Sequence, residues 1–180
     1  MRKSFVCTAF VALLLAVLAG CGGSKTDVPI FVMPGGGMSP ETAKRLEASL
    51  QGMVGETPAV SVNASPIFNL QKLIVEVAAG GDGIVIVPKE QFDTFARQGS
   101  LVILDDLFDP AAYPGGVVTP DPDPKRPDVK PVKHLYGVPV QQAKWLQDAG
   151  YKGEALYAFV HPRAPGVNEA KQVLQTMLGL

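Results

Sequence analysis

An open, mostly parallel α/β sheet with helices on both faces is what this 180-residue sequence predicts. Three observations carry that prediction. Short apolar runs of strand length alternate with amphipathic stretches of helical spacing, the β-α-β-α rhythm of parallel strands joined by crossover helices. The strand candidates are apolar at nearly every position, as strands covered on both faces must be. Glycine- or proline-bearing turns punctuate the junctions.

The first strand is Val28-Pro29-Ile30-Phe31-Val32-Met33, which stops at Pro34-Gly35-Gly36-Gly37. Ser39 then reads as an N-cap with Pro40 at N1 and Glu41 in the first turn, and Ala43, Leu46, Leu50 and Met53 fall on one face of a helix closed by Gly55. A second strand, Ala59 to Val62, passes through Asn63-Ala64-Ser65-Pro66 into a helix whose stripe is Leu70, Leu73, Ile74, Val77 and Ala78. After Gly80-Gly81-Asp82-Gly83 comes a strand from Ile84 to Val87. A helix from about Lys89 to Gln98 follows, carrying Phe92, Phe95 and Ala96, with Gly99 as its stop. Leu101 to Leu104 reads as a fourth strand.

Between Asp109 and Lys133 stand seven of the chain's 16 prolines. Each removes a backbone donor and restrains its predecessor, so this stretch is expected to be an extended surface excursion at about residues 109–133. Beyond it a short strand over Leu135 to Val140, a helix over Gln141 to Ala149 and a strand over Leu156 to Val160 are expected. A last amphipathic helix carries Val167, Ala170, Val173, Leu174, Met177 and Leu178.

The amino terminus bounds the setting. Arg2 and Lys3 precede an apolar run from Phe5 to Ala19 broken only by Thr8, too short for a membrane span of about 20 residues. Leu18-Ala19-Gly20-Cys21 places small residues before a cysteine. That order resembles the bacterial lipobox, which implies a lipoprotein-type signal peptide over residues 1–20 and acylation of Cys21, palmitate included. It further implies a flexible tether over 21–27 and a single α/β domain over 28–180, lipid-anchored at the cell membrane and facing outside the cytoplasm. The alternative is an ordinary secretory signal with a chance cysteine. Cys7 leaves with the signal, so no thiol remains for a disulfide or a metal. About 160 residues suffice for one sizeable core. Without Arg2 and Lys3, 14 basic side chains face 17 acidic ones, so no basic face for nucleic acid is evident.

In open parallel sheets ligands sit at the carboxyl ends of the strands. The loop Gly35, Gly36, Gly37, Met38 and Ser39 either admits a carboxylate, phosphate or sugar hydroxyl against a helix N-terminus or simply connects strand to helix. It lacks the Gly-Lys-Ser/Thr of a nucleotide-binding loop. Asn63 and Ser65 either meet a ligand or cap a helix, and Lys89 either pairs with an anion or is a solvated first-turn residue. Tyr136 with Trp145 forms either a stacking surface or core packing. His134 and His161 are twenty-seven residues apart, without metal-ligand spacing, and both read as surface residues. Asp105 and Asp106 should diverge at a strand end, and Asp121 and Asp123 alternate with prolines, as in a solvated linker or a weak Ca²⁺ site. No Gly-x-Ser-x-Gly elbow is present. The expectation is therefore a protein without catalytic activity, cofactor or metal.

The stretch from Gly80 to Asp106, with its glycine-rich turn, apolar strand, Glu90-Gln91-Phe92, Gln98-Gly99-Ser100-Leu101-Val102 and Leu104-Asp105-Asp106-Leu107, resembles a segment of bacterial extracellular solute-binding lipoproteins. Tyr136-Gly137-Val138-Pro139-Val140 is similar to the strand near that family's inter-lobe hinge. Leu156 to Leu178 is similar to its strand-loop-helix unit. The resemblance implies one lobe of a periplasmic-binding-protein-like fold, a small solute or peptide as ligand, and a transporter permease as an envelope partner. Two departures stand out. Asp82-Gly83 occupies the place of the family's Pro-Asp, and the proline-rich stretch stands where the second lobe would be inserted. The sequence thus reads as a single compacted lobe. It is expected to act either as a solute-binding-like lipoprotein associated with a transporter or as a non-catalytic accessory lipoprotein docking another envelope protein.

Overall fold

Strand β1 (Val28–Val32) is apolar on both faces because it lies inside the sheet, hydrogen-bonded in parallel to β2 (Val60–Ala64) on one side and β3 (Ile84–Pro88) on the other. This computed structural model describes residues 26–180, so the expected signal segment and Cys21 lie outside the described residues. Beyond β3 comes β7 (Leu156–Val160), antiparallel to it, and then β6 (Val138–Pro139), antiparallel to β7. The order is β2-β1-β3-β7-β6, and only β7 runs against the others. A separate two-stranded ribbon joins β4 (Val117–Val118) to β5 (His134–Leu135).

Side-chain alternation decides which helix covers which face. Val28, Ile30 and Val32 of β1 point with Ile84 and Ile86 of β3 into one cluster, where α1 (Pro40–Val54) contributes Leu46 and Leu50. Helices α4 (Lys144–Asp148) and α5 (Val167–Leu178) complete it through Trp145, Leu146, Val173 and Leu174. Phe31, Val85, Val87 and Phe159 point the other way, under Leu73 of α2 (Leu70–Ala79) and Phe92 and Phe95 of α3 (Lys89–Arg97). Phe92 stacks on Tyr157 with ring centroids 5.1 Å apart. The α/β class with helices on both faces is thereby present.

Several local expectations differ. Leu101 to Leu104 is not a strand: it makes isolated bonds only, Val102 N–H to the Val160 carbonyl at 3.3 Å and Leu104 N–H to the Leu135 carbonyl at 2.8 Å. The position beside β3 belongs to β7, whose register with β3 extends over five residue pairs. The expected strand over Leu135 to Val140 is split into β5 and β6 at Tyr136-Gly137, where Tyr136 N–H donates to the Gly116 carbonyl at 3.0 Å and Gly137 packs so closely on the Phe92 ring that a side chain would not fit. The helix expected over Gln141 to Ala149 is confined to Lys144–Asp148. Met53, Leu70 and Ile74, assigned to apolar stripes, are exposed.

Asp82 sits in the turn between α2 and β3. Burial, with Glu76 adding to it, pushes its carboxyl up to about 6. Its folded pKa therefore lies above its unfolded value, and above pH 6 the chain carries a partly buried charge that unfolding would relieve. Asp82→Asn is expected to stabilise the protein by about 1–2 kcal/mol at pH 7.5, after allowing for solvent screening. The gain should shrink as pH falls from 6 towards 4, where Asp82 is protonated in the folded chain and the unfolded chain has begun to take up the same proton. Unfolding curves at the two pH values check this, and an equal gain at pH 4 would contradict it.

Candidate functional site

The chain leaves β1 for β2 on one side and returns to β3 on the other, so strand order reverses between β1 and β3. At such a switch point the loops after the two strands part and leave a crevice. A cleft of about 430 Å³ lies at this edge, lined by Gly35 after β1, Phe68 after β2, and Pro88, Lys89 and Glu90 at the end of β3. β7 enters the sheet at Leu156 opposite Pro88, which brings Glu154 and Ala155 to the same edge.

The glycine loop is shaped for close approach. Gly35 N–H donates to Glu154 Oε1 at 2.6 Å, and a Cβ at Gly35 would run into that carboxylate. Gly37 adopts φ +73°, and Met38 N–H donates to the Ser65 carbonyl at 2.8 Å, tying the first loop to the second. Ser39 caps α1, accepting from Thr42 N–H at 3.2 Å. Glu154 is held by its own turn: Tyr151 Oη donates to the Glu154 carbonyl at 3.1 Å. Burial, with Glu154 beside it, pushes the Tyr151 hydroxyl up to about 12, so it remains a donor at any physiological pH.

Lys89 pairs with Asp93 one turn along α3, and its ammonium lies 5.6 Å from the Phe92 ring centroid and 5.3 Å from that of Tyr157. Its charge is therefore answered within the protein. Glu90 and Glu154 also line the cleft, so the charge left unanswered there is acidic. The backbone N–H that a carboxylate or phosphate would seek already holds a carboxylate.

The other expected residues disperse. Asn63 is exposed on β2, an edge strand. Ser65 is buried and donates to the Ile67 carbonyl at 2.7 Å, while the cap of α2 is Asn69, which accepts from Lys72 N–H at 2.9 Å. Tyr136 lies away from the cleft, under the proline-rich segment, where it borders a hollow of about 710 Å³ with His134 and Arg97. Burial, then the Asp105 charge, raises its hydroxyl above the ordinary range. Trp145 forms no surface with it: the indole is 1 % exposed and donates to the Leu46 carbonyl at 2.8 Å.

His134 Nδ1 bonds Asp105 Oδ2 at 2.7 Å, and Asp106 turns away to Lys171 at 2.8 Å, so the two carboxylates do diverge. His161, expected at the surface, is only 4 % exposed. It reaches the end of α2, where its Nε2 bonds the Val77 carbonyl at 2.9 Å. Among the described residues no cluster of three or more His, Cys, Asp or Glu is arranged to hold a metal, and no helix is long and apolar enough to cross a membrane.

Sequence reasoning missed Glu154 and Phe68. Neither carried a signal, since one stands before an antiparallel strand and the other between a proline turn and a helix cap.

No protein-family model and no curated protein matches this sequence. Among solved structures, an extracellular solute-binding protein family 1 from Alicyclobacillus acidocaldarius is similar over 65% of this chain and 29% of that chain, with 20% identity and a TM-score of 0.40. This chain thus spans under a third of the length of that structure.

Proposed function

We propose that this chain is a non-catalytic, solute-binding-like protein of the cell envelope, anchored through a lipid on Cys21, which receives a small hydroxylated solute in the switch-point cleft. The observation that carries this reading is the convergence of the β1 and β3 loops with Glu154 in one open cleft. Phe68 offers an apolar surface, and the carboxylates of Glu90 and Glu154 accept from hydroxyl or ammonium donors. Anions are disfavoured by those same carboxylates.

A thermal-shift panel of neutral sugars, amino acids, dipeptides and phosphate tests the site. A neutral hydroxylated solute at a hundred times its Kd should raise the melting temperature by about 5–10 °C. Glu154→Ala should remove that response, and silence across the panel would end the solute reading. For the anchor, Cys21→Ser in a bacterial host should move the protein from the membrane to the soluble fraction and remove the acyl mass. Unchanged fractionation and mass would refute lipidation.

A second reading, docking of another envelope protein such as a transporter permease, is favoured by the proline-rich segment, around which Ile103, Val129 and Val132 stay exposed. In-cell cross-linking that returns no reproducible partner would count against it.

A further inference from the structure

Between α2 and α3 runs a groove of about 640 Å³ whose two walls differ in chemistry. The α2 wall presents Leu70, Ile74, Val77 and Ala78. Leu70 is 50% exposed and Ile74 49%, although a helix this apolar is ordinarily buried on most sides. The α3 wall presents Glu90, Gln91 and Thr94 with Phe95 behind them, and Gln98 just past the helix end. Among the described residues the side-chain amides of Gln91 and Gln98 make no hydrogen bond within the protein and are open to an occupant.

The groove's ends are charged, and oppositely. Glu90 stands at the carboxyl rim, in the first turn of α3. Arg163 stands at the far end, where its guanidinium reaches the Ala78 carbonyl at the end of α2. Neither residue takes part in an ion pair among the described residues.

These features select an occupant. A hydrocarbon chain would satisfy the α2 wall but bury the amides of the α3 wall without partners. A sugar would leave Leu70 and Ile74 uncovered. An extended peptide meets both walls, with apolar side chains against α2 and backbone N–H and C=O groups against the glutamines. Its free termini match the charged ends, ammonium to Glu90 and carboxylate to Arg163, where the planar guanidinium can form paired bonds. From Leu70 to Ala78 the wall is about 12 Å long, which corresponds to roughly four extended residues.

We propose that this groove binds a short apolar peptide of about four residues, amino group at Glu90 and carboxylate at Arg163. The groove meets the switch-point cleft at Glu90 and Gln91, yet the inference stands apart from the solute reading, since α2 and Arg163 take no part in that cleft.

Isothermal titration of the full chain with the probe Ala-Leu-Val-Leu, free and C-terminally amidated, tests the proposal. Amidation should weaken binding on the order of tenfold, the loss of one charged hydrogen-bonded contact. Arg163→Gln should weaken the free peptide by the same factor and abolish the difference between the two forms, whereas Arg163→Lys should restore the preference. Ile74→Gln, an exposed position, should weaken both forms. Equal affinity for free and amidated peptide would overturn the proposal, as would a preference that survives Arg163→Gln. Displacement of the peptide by dodecanoate would assign the groove to acyl chains instead. A dimer in sedimentation that Ile74→Gln dissociates would assign it to a second copy. Peptide binding lost in Glu154→Ala but kept in Ile74→Gln would move the peptide to the cleft, which also overturns it.

Discussion

Gly37→Ala should lower stability by about 3 kcal/mol and abolish the solute binding proposed for the switch-point cleft. Gly37 holds φ +73°, a conformation that costs an L-residue roughly 1–2 kcal/mol. The added Cβ would also meet the Pro66 carbonyl and lie 2.9 Å from Ile67 N, both backbone atoms that cannot swing aside. Overpacking of that kind adds about 1–3 kcal/mol. The strain falls where the first loop is tied to the second, since the next N–H, that of Met38, donates to the Ser65 carbonyl. Relief by moving the loop would carry Gly35 off Glu154 and open the cleft. Gly36→Ala is the matched control, because a Cβ there meets nothing within 4 Å. It should change stability by no more than about 0.5 kcal/mol. Thermal unfolding should place the Gly37 variant about 6–12 °C below the Gly36 variant. Coincident transitions would mean that the loop is not constrained as described.

What the sequence discloses depends on whether the cause is local. Ser39-Pro40 opens α1 through a cap and a fixed φ, both properties of adjacent residues, and the structure shows that cap. The near-continuous apolar runs of β1 and β3 reflect burial on both faces and are equally legible. Leu101 to Leu104 has the same apolar look for a different reason: Leu101 and Leu104 are buried against the sheet's margin rather than paired within it. Which strand lies beside β3 is settled by β7, which follows β3 by nearly seventy residues, and no local pattern carries that information.

The candidate site divides along the same line. Gly35 and Lys89 are found by asking which loops leave the carboxyl ends of parallel strands. Glu154 is not, because it arrives from the loop into the one strand that runs the other way. Ser65 and Asn69 are both capping residue types near the start of one helix. Only the fold shows that Ser65 is turned inward to Ile67 while Asn69 takes the cap.

His161→Ala is expected to cost about 3 kcal/mol at pH 7.5, because it strips partners from two backbone groups that remain in place. In the folded chain Nε2–H donates to the Val77 carbonyl at 2.9 Å, and Nδ1 accepts from Arg163 N–H at 3.0 Å. Both ring nitrogens are thus committed in the neutral tautomer, and a second proton at Nδ1 would face the Arg163 N–H. Burial, with the Arg163 charge adding to it and the Val77 bond opposing it, holds the imidazole below its ordinary pKa.

The unfolded chain consequently binds the extra proton first. The stability that His161 contributes is fully present above about pH 6.5 and is lost as pH falls through that value towards the lower folded pKa. Asp82 has the opposite slope between its unfolded value and 6, so the comparison belongs in an Asp82→Asn background. There the gap between the protein that keeps His161 and the His161→Ala variant should be widest at pH 7.5 and narrow steadily towards pH 5. A gap that stays constant would show the ring acting by packing alone. One that widens in acid would mean that the charged imidazolium, not the neutral ring, fastens the end of α2.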